Sequence, residues 1–265
     1  SALLAVLLTL PWLNPFAFGP SPHVHSLLAG WACAALVLGV VALWQVPAGV
    51  LWRAAVQSWA AAAVISAVLG LLQFLDLASA LAPWVNQPGP GTVFANLRQR
   101  NQFATLCAMG LVALAWGTRA HRSAAAGLWL AACAALAGMG LGLSGSRTGF
   151  LELVLLWLLA LVWARRSAPQ ARQRVWRVLA VGTLAYVLAA QTQSQGLGAG
   201  TPTVFERLWS GDALCTSRRT LWANVWQIVM QKPWLGWGWG ELAYAQFMTL
   251  TEGPRFCDVL DNAHN

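Results

Sequence analysis

Charged side chains are scarce in this sequence. Asp, Glu, Lys and Arg make up 9% of its 265 residues, whereas hydrophobic residues make up 58%. A soluble domain usually carries about 25% charged residues, because a chain of this length has a large surface to cover. The low charge therefore excludes an ordinary soluble protein and indicates one that is embedded in a membrane.

The apolar residues are grouped in blocks of about 20, the length that crosses the hydrocarbon core of a bilayer as a helix. The candidate spans are 2–18, 24–44, 54–75, 103–118, 124–143, 149–164 and 175–190. The first block has no basic residue before it and contains Pro11 and Pro15, which argues against a signal peptide. The sequence predicts an all-α, polytopic helical membrane protein with about seven transmembrane helices, and the lipid bilayer as a partner.

Acidic residues are fewer still, with eight against sixteen cations. They do not cluster, and no second histidine or cysteine lies at ligand spacing from His264, so we expect neither a metal site nor another cofactor. Transporters usually show ionisable residues at mid-span and often an internal repeat. Here only Glu152 lies inside a predicted span and no repeat is present, so a membrane transporter is the weaker alternative.

Arginine-rich loops predict the orientation of the chain. Residues 117–123 and 164–177 are separated by two predicted spans, so they share one side, which the positive-inside rule makes cytoplasmic. Alternation then places four segments outside: 19–23, 76–101, 144–148 and 191–265. The inner cations are Arg53, Arg119, Arg122, Arg165, Arg166, Arg172, Arg174 and Arg177. Since half of the cations act as topology signals, the net charge of +8 does not indicate a nucleic-acid partner.

The other cations fall on the predicted outer side, where they work against the insertion bias. They are Arg98, Arg100, Arg147, Arg207, Arg218, Arg219, Lys232 and Arg255. We interpret Arg207, Lys232 and Arg255 as ordinary solvated loop residues. The remaining arginines suggest an outward-facing site for an anion.

Two polar segments begin predicted spans. In LSGSRTGF (143–150), Arg147 either snorkels to the interface or faces a polar cavity; an ion pair with Glu152 is not favoured, because the two do not share a helical face. The second segment, FANLRQRNQFAT (94–105), is rich in amides and guanidiniums. Such groups persist at membrane depth only in water or in a protein-lined cavity. Its candidate binding residues are Arg98, Arg100, Asn101 and Gln102.

The segment SRRTLWANVWQIVMQKP (217–233) predicts an amphipathic helix at the outer interface, with tryptophans at headgroup level. Arg218 and Arg219 lie at its start, where guanidinium forks and a helix N-terminus favour a phosphate. A solvated cap with Ser217 as the N-cap is the alternative.

The remaining outer candidates are two cysteines and a histidine. Cys215 and Cys257 lie outside, where an oxidising compartment permits a disulfide, so we predict one. Three cysteines inside spans, Cys33, Cys107 and Cys133, are apolar fillers. His264 titrates near neutral pH and is suited to act as a general base, although a lone histidine is more often structural.

Taken together, three segments resemble a known family. FANLRQRNQFATLCAMGLVALAW (94–116) resembles the signature of the bacterial protein glycosylation ligases, or pilin-type O-oligosaccharyltransferases. GLSGSRTGFLEL resembles the start of the O-antigen ligase and polymerase superfamily domain. SRRTLWANVWQIVMQKPWLGWGWGEL, with the later DNAHN, is similar to the rest of that domain.

The resemblance implies a glycosyltransferase of the bacterial inner membrane whose active site faces the periplasm. It would transfer an oligosaccharide from undecaprenyl diphosphate to a Ser or Thr hydroxyl of a periplasmic, pilin-like protein. The family's diphosphate-binding arginines correspond to Arg147 and Arg218, with Arg219 possible, and its catalytic histidine corresponds to His264. An O-antigen ligase or polymerase acting on lipopolysaccharide precursors remains an alternative, since the sequence does not state the acceptor.

The resemblance also implies an organisation in three parts. Residues 1–93 would hold N-terminal transmembrane helices and an outer loop, and 94–118 the amide-rich segment with its span. Residues 119–265 would form an incomplete O-antigen ligase/polymerase-like domain that includes the periplasmic loop 191–265. Because the family continues into further spans after its histidine, we expect the sequence to be truncated at its C-terminal side.

Overall fold

The computed structural model describes residues 2–15, 24–89, 91–117, 123–195, 217–238 and 240–257. Within these residues every regular element is helical, which confirms the predicted all-α class. The α-helices are α1 (Ala2–Leu13), α2 (Val24–Leu43), α3 (Ala48–Phe74), α4 (Arg100–Val112), α5 (Ala124–Leu143), α6 (Arg147–Ala164), α7 (Pro169–Gln195), α8 (Arg218–Gln231) and α9 (Leu242–Met248). A 3-10 turn, Ala78–Leu81, follows α3, and a π-helical turn, Ala113–Gly117, continues α4.

Five of the described helices are long and apolar enough to cross a membrane: α2, α3, α5, α6 and α7. The predicted count of seven is not confirmed, because α1 has 12 residues and α4 has 13. Helix α4 is short because its last turns widen into the π-helical turn. Large apolar side chains on the spans are exposed, as expected of a lipid-facing surface. Examples are Trp31, Leu38, Trp129, Leu158, Val162 and Leu184.

The chain forms two compact units, unit 1 (residues 1–205) and unit 2 (residues 206–265). Unit 1 contains α1 to α7, and unit 2 contains α8 and α9. The three-part organisation expected from the family resemblance stays a prediction.

Small residues let α5 and α7 cross closely. A Cβ added at Gly138 would overlap the carbonyl oxygen of Gly182, and one at Gly142 would lie 2.5 Å from the carbonyl oxygen of Tyr186. Apolar side chains gain little by leaving lipid for a neighbouring helix, so membrane helices associate where small residues permit backbone contact. This crossing is the centre of the core of unit 1.

An arginine fixes one end of unit 1. Arg174, in the first turns of α7, donates from Nε to the carbonyl oxygen of Ala115 in the π-helical turn, at 2.9 Å. Trp116 of the same turn packs edge-on against Trp163 of α6, with ring centroids 5.8 Å apart. A π-helical turn leaves carbonyl groups without their usual α-helical donors, and here a side chain supplies one. Arg174 is therefore a packing residue as well as one of the predicted inner cations.

Two buried amides organise the opposite end. Gln73, at the end of α3, donates to the carbonyl oxygens of Asn86 and Ala95 at 2.9 and 2.8 Å and accepts from the backbone N–H groups of Phe94 and Ala95. Asn96 donates to the carbonyl oxygens of Leu13 and Trp84 and accepts from the N–H of Asn86. The loop before α4 is thus tied to the ends of α1 and α3.

Side-chain amides also organise unit 2. Asn224 of α8 donates to the carbonyl oxygen of Pro254 at 3.0 Å and accepts from the N–H of Phe256 at 2.8 Å. Gln227 makes the same two-way contact with the backbone of Glu252. The segment 252–257 therefore lies along α8. The buried face of α8 carries Leu221, Asn224, Val225 and Ile228.

Candidate functional site

Two helices of unit 1 begin side by side at the end where Gln73 and Asn96 lie. Helix α6 starts at Arg147, with Ser146 as its N-cap, whose Oγ accepts from the N–H of Gly149 at 3.2 Å. The same hydroxyl donates to Oδ1 of Asn101, in the first turn of α4, at 2.7 Å. One serine therefore caps α6 and ties it to the amide-rich segment.

The hairpin before α6 explains how the two helix starts come so close. Ser144 is fully buried, and its hydroxyl donates to the carbonyl oxygen of Leu141 and accepts from the N–H of Ser146. Gly145 adopts a φ of 58°, which a residue with a side chain rarely adopts. A Cβ added at Gly149 would lie 2.8 Å from the Cβ of Ala104. Glycines thus allow the sharp turn and the contact between α4 and α6.

A second hydrogen bond joins α4 and α6 deeper in the span. Thr105, one turn beyond Asn101 on the same face of α4, donates to Oε1 of Glu152 at 2.7 Å. The other carboxyl oxygen, Oε2, is buried and has no hydrogen-bond partner. The expectation against an Arg147–Glu152 pair agrees with this geometry, since the described partner of Glu152 is Thr105. Asn101–Ser146 and Thr105–Glu152 form a polar seam between the helices, which we call the α4–α6 seam.

The predicted binding residues of the amide-rich segment take different positions. Arg100 is partly buried and donates from Nη2 to Oγ1 of Thr92 at 2.8 Å. Arg98 is partly buried and adopts a φ of 59°, in the left-handed region. Gln102 is exposed, whereas Asn101 is partly buried and engaged with Ser146. Arg98, Arg100 and Asn101 therefore lie beside the start of α4, as Arg147 lies at the start of α6.

The backbone before α4 is strained in two places. Ala95 and Arg98 are not glycines, yet their φ angles are 51° and 59°. Such conformations cost of order 1–3 kcal/mol and persist where surrounding contacts impose them. Here Gln73 supplies those contacts on both sides of Ala95. Strain of this kind is often found at functional sites, which supports a functional role for the loop.

Unit 2 presents its own arginines. Arg218 and Arg219 are exposed in the first turn of α8, and the Oγ of Ser217 accepts from the N–H of Thr220 at 3.2 Å. The predicted N-cap role of Ser217 is confirmed, and it does not conflict with anion binding by the exposed side chains of Arg218 and Arg219.

Lys232 and Arg255 are exposed and lie outside the helices, as expected of solvated loop cations, but each also makes a contact within unit 2. The Nζ of Lys232 lies 4.0 Å from the ring centroid of Trp237, a favourable cation–π arrangement. Arg255 donates from Nη2 to the carbonyl oxygen of Gln246 at 2.7 Å. Both side chains therefore hold parts of unit 2 together. The third residue of that interpretation, Arg207, lies outside the described residues.

The predicted catalytic histidine, His264, also lies outside the described residues. The nearest described segment, 252–257, is held against α8 by Asn224 and Gln227. Cys257 is disulfide-bonded, whereas Cys33, Cys107 and Cys133 are free thiols. Cys215, its predicted partner, is outside the described part of the chain.

Sequence reasoning missed Gln73, Asn96, Ser144 and Ser146. Gln73 is a lone amide near the end of an apolar run, and Asn96 is one of several amides in the segment 94–105. A polar side chain at a position expected to be buried is a signal for such residues, because a buried polar group needs hydrogen-bond partners. Among the described residues, no group of three or more metal-ligating side chains occurs.

The end of unit 1 at which α4 and α6 begin has features that suit an anion. The first N–H groups of a helix lack intrahelical partners, and the helix dipole adds positive potential there. Two such helix starts lie together, with Arg98, Arg100 and Arg147 beside them. Guanidinium groups donate to phosphate oxygens two at a time. This combination suits a diphosphate better than an uncharged ligand.

Comparisons with known proteins agree with this chemistry. A family model described as O-antigen ligase matches residues 131–265, and one described as protein glycosylation ligase matches residues 93–116. These two matches meet at the α4–α6 seam, since Asn101 lies in the second and Ser146 in the first.

Two curated relatives are oligosaccharyltransferases of Acinetobacter baylyi. The chain is 26% identical over 177 residues to the ComP-specific O-oligosaccharyltransferase. The aligned stretch covers 66% of this chain and 31% of that protein. It is 25% identical over 201 residues to the general O-oligosaccharyltransferase. That alignment covers 72% of this chain and 34% of the relative. The chain thus spans about a third of the length of these relatives. No solved structure gives a significant match.

The resemblance that the sequence suggested is therefore confirmed at the level of the family. The O-antigen ligase match covers half of the chain, the glycosylation-ligase match covers the amide-rich segment, and both named relatives are O-oligosaccharyltransferases. The chain belongs to the O-antigen ligase family and, within that superfamily, resembles the pilin-type O-oligosaccharyltransferases.

Proposed function

We propose that the full-length protein transfers an oligosaccharide from undecaprenyl diphosphate to a Ser or Thr hydroxyl of a periplasmic, pilin-like protein. The enzyme would lie in the inner membrane with its active site facing the periplasm. The observation that carries the proposal is the Asn101–Ser146 hydrogen bond, which joins the glycosylation-ligase segment to the helix start that bears Arg147.

In this mechanism the diphosphate of the donor binds at the paired starts of α4 and α6. The acceptor hydroxyl oxygen attacks the anomeric carbon, and the bond from that carbon to the diphosphate oxygen breaks. The electron pair leaves with undecaprenyl diphosphate, whose growing charge Arg147 and the helix N–H groups stabilise. His264 accepts the hydroxyl proton. The family resemblance adds Arg218 and Arg219 as further candidate phosphate ligands.

The test uses the full-length protein reconstituted with lipid-linked glycan and a pilin-like acceptor. We expect Arg147→Ala to lower the transfer rate by about 10² to 10³, the usual effect of removing one oxyanion donor. Arg147→Lys keeps the charge without the planar fork, so it should recover only part of the rate. His264→Ala should cost about 10² to 10⁴, the usual contribution of a general base.

Arg165→Ala is the matched control, because Arg165 is exposed at the end of α6, the helix that begins at Arg147. It should transfer at the wild-type rate. A wild-type rate in an Arg147→Ala, Arg218→Ala double variant that inserts normally would disprove the proposed roles.

A second candidate is ligation of O-antigen, which the O-antigen ligase match over residues 131–265 favours. The two functions differ in the acceptor. Deleting the full-length gene should remove glycan from a pilin-like periplasmic protein in the first case and from lipopolysaccharide in the second. Electrophoresis of both acceptors from the same cells distinguishes them.

A further inference from the structure

A basic groove lies along the first three turns of α7, away from the α4–α6 seam. Its volume is about 680 Å³, and it is open to the surroundings. Its lining includes Gln170, Arg172, Gln173, Trp176, Arg177 and Ala180. None of these residues belongs to the α4–α6 seam or to the proposed diphosphate site.

Helical spacing explains why these side chains share one face. Arg172, Trp176 and Ala180 are spaced four apart, and Gln173 and Arg177 form a parallel row. Trp176 is held from behind by Trp157 of α6, with ring centroids 5.4 Å apart. Arg174 points elsewhere, because its Nε donates to the carbonyl oxygen of Ala115. The groove therefore has a fixed tryptophan wall with two exposed guanidiniums.

The charge of the groove is uncompensated along the chain. Residues 153–205 contain no Asp or Glu, and both Arg172 and Arg177 are exposed. The groove lies at the end of a helix that is apolar enough to span a membrane. Tryptophan and arginine at the end of a span lie at headgroup depth, and Ala180 continues the wall toward the acyl chains.

We propose that this groove binds the phosphate-bearing headgroup of an anionic phospholipid. The two guanidiniums donate to the phosphate oxygens, the glutamine amides reach the glycerol and headgroup hydroxyls, and the ring of Trp176 lies against the upper acyl chain. Basic pockets beside spans bind anionic headgroups in other membrane proteins. A lipid fits better than free phosphate, because an apolar wall adjoins the cations.

The experiment uses the full-length protein in nanodiscs that contain phosphatidylcholine with a minor fraction of phosphatidylglycerol. Native mass spectrometry after detergent release counts the phosphatidylglycerol molecules that remain bound. An Arg172→Gln, Arg177→Gln double variant should retain this lipid about 25-fold less well, since about 1 kcal/mol for each cation near the surface corresponds to about fivefold. Arg172→Lys, Arg177→Lys should retain most of it.

An Arg165→Gln, Arg166→Gln double variant is the matched control, with the same charge change at exposed residues outside the groove. Selective loss in the groove variant supports the site. Equal loss in both variants would show diffuse attraction to basic loops, and no loss in either would remove the site; both results overturn the proposal. Displacement of the lipid by millimolar inorganic phosphate would overturn the choice of a lipid. A single Arg177→Gln variant, expected to lose about fivefold, serves if the double variant inserts poorly.

Discussion

At the scale of single residues, uncharged side chains fix the backbone beside the arginines at the end of unit 1 where α4 and α6 begin. Ser146 caps the helix that starts at Arg147, and Asn101 holds Ser146. Gln73 and Asn96 fix the loop that carries Arg98. An arginine binds phosphate well only if its backbone is already placed, because ordering a loop during binding costs entropy.

We predict that the Asn101–Ser146 bond positions Arg147 for the lipid donor. Asn101→Ala should raise KM for the donor about fivefold, since a net hydrogen bond is worth about 1 kcal/mol. Ser146→Ala should raise this KM further, because it also removes the N-cap of α6. Steady-state kinetics of the full-length protein gives both values.

A double-variant cycle separates positioning from general damage. Because both substitutions break one bond, their combined effect should be smaller than the product of the two single effects. Ser123→Ala, which removes the N-cap of α5 at the N–H of Ala126, should leave KM unchanged. Independent, multiplicative effects would contradict the positioning role.

We also predict that Gln73 is required for stability. Gln73→Ala leaves the N–H of Ala95 and the carbonyl oxygens of Ala95 and Asn86 without that partner in a buried region. Each buried unsatisfied group costs about 1–3 kcal/mol, so we expect a large loss of thermal stability and faster amide exchange at 92–97. Gln57→Ala, at an exposed position of the same helix, should change neither; a similar loss in both would reject the explanation.

The candidate site was predictable from sequence only in part. Arg147, Arg100 and Asn101 precede apolar runs and look out of place there, so they could be recognised. Their partners could not, because Asn101 and Ser146 are 45 residues apart and nothing in either local pattern specifies the pairing. Gln73 lies in an apolar run whose periodicity one amide does not alter.

At the scale of elements, the length of the apolar blocks predicted where helices form better than it predicted which helices are long enough to span a membrane. The long apolar helices α2, α3, α5, α6 and α7 overlap five predicted blocks, although α3 begins before its block and α7 extends beyond its block at both ends. The block 103–118 instead forms a 13-residue α-helix and a π-helical turn. Distant residues contact this turn, among them Arg174 and Trp163, and the local sequence does not reveal such contacts.

We predict that the α5–α7 crossing tolerates no side chain at Gly138. Gly138→Ala places a Cβ on the carbonyl oxygen of Gly182, and overpacking in a tight core costs about 1–3 kcal/mol. Gly127, on the same helix, has open space around it, so Gly127→Ala should be neutral or stabilising by up to about 1 kcal/mol. Thermal unfolding in detergent compares them, and equal melting temperatures would refute the close-packing argument.

At the scale of the whole molecule, the structure agrees with the predicted alternation of the loops. Hydrogen bonds gather Leu13, Asn14, Trp84, Asn96 and Asn86 at one end of unit 1, all of them predicted to lie at or beside the outer surface. The hydrogen bond from Arg174 to Ala115 lies at the other end of unit 1 and joins residues predicted to lie at or near the inner surface. This grouping shows which loops share an end of unit 1. Which end faces the periplasm stays a prediction.

We predict that the Gln73 end faces the periplasm. In a full-length background without native cysteines, Ser79→Cys should react with a membrane-impermeant maleimide in intact spheroplasts. Ala168→Cys, in the arginine-rich loop, should react only after lysis. Both positions are exposed, so accessibility in the folded protein is matched. The reverse pattern of labelling would invert the topology and remove the periplasmic assignment of Arg147.

The contact between Gly138 and Gly182 also has a consequence for biosynthesis. When α5 enters the bilayer, its partner α7 has not been made, since Gly182 lies some forty residues further along the chain. At a synthesis rate of about 5–20 residues per second, the glycine face of α5 waits for about 2–9 s. During that interval lipid or an insertase must cover the glycine face of α5, until the residues of α7 that pack against it have been made.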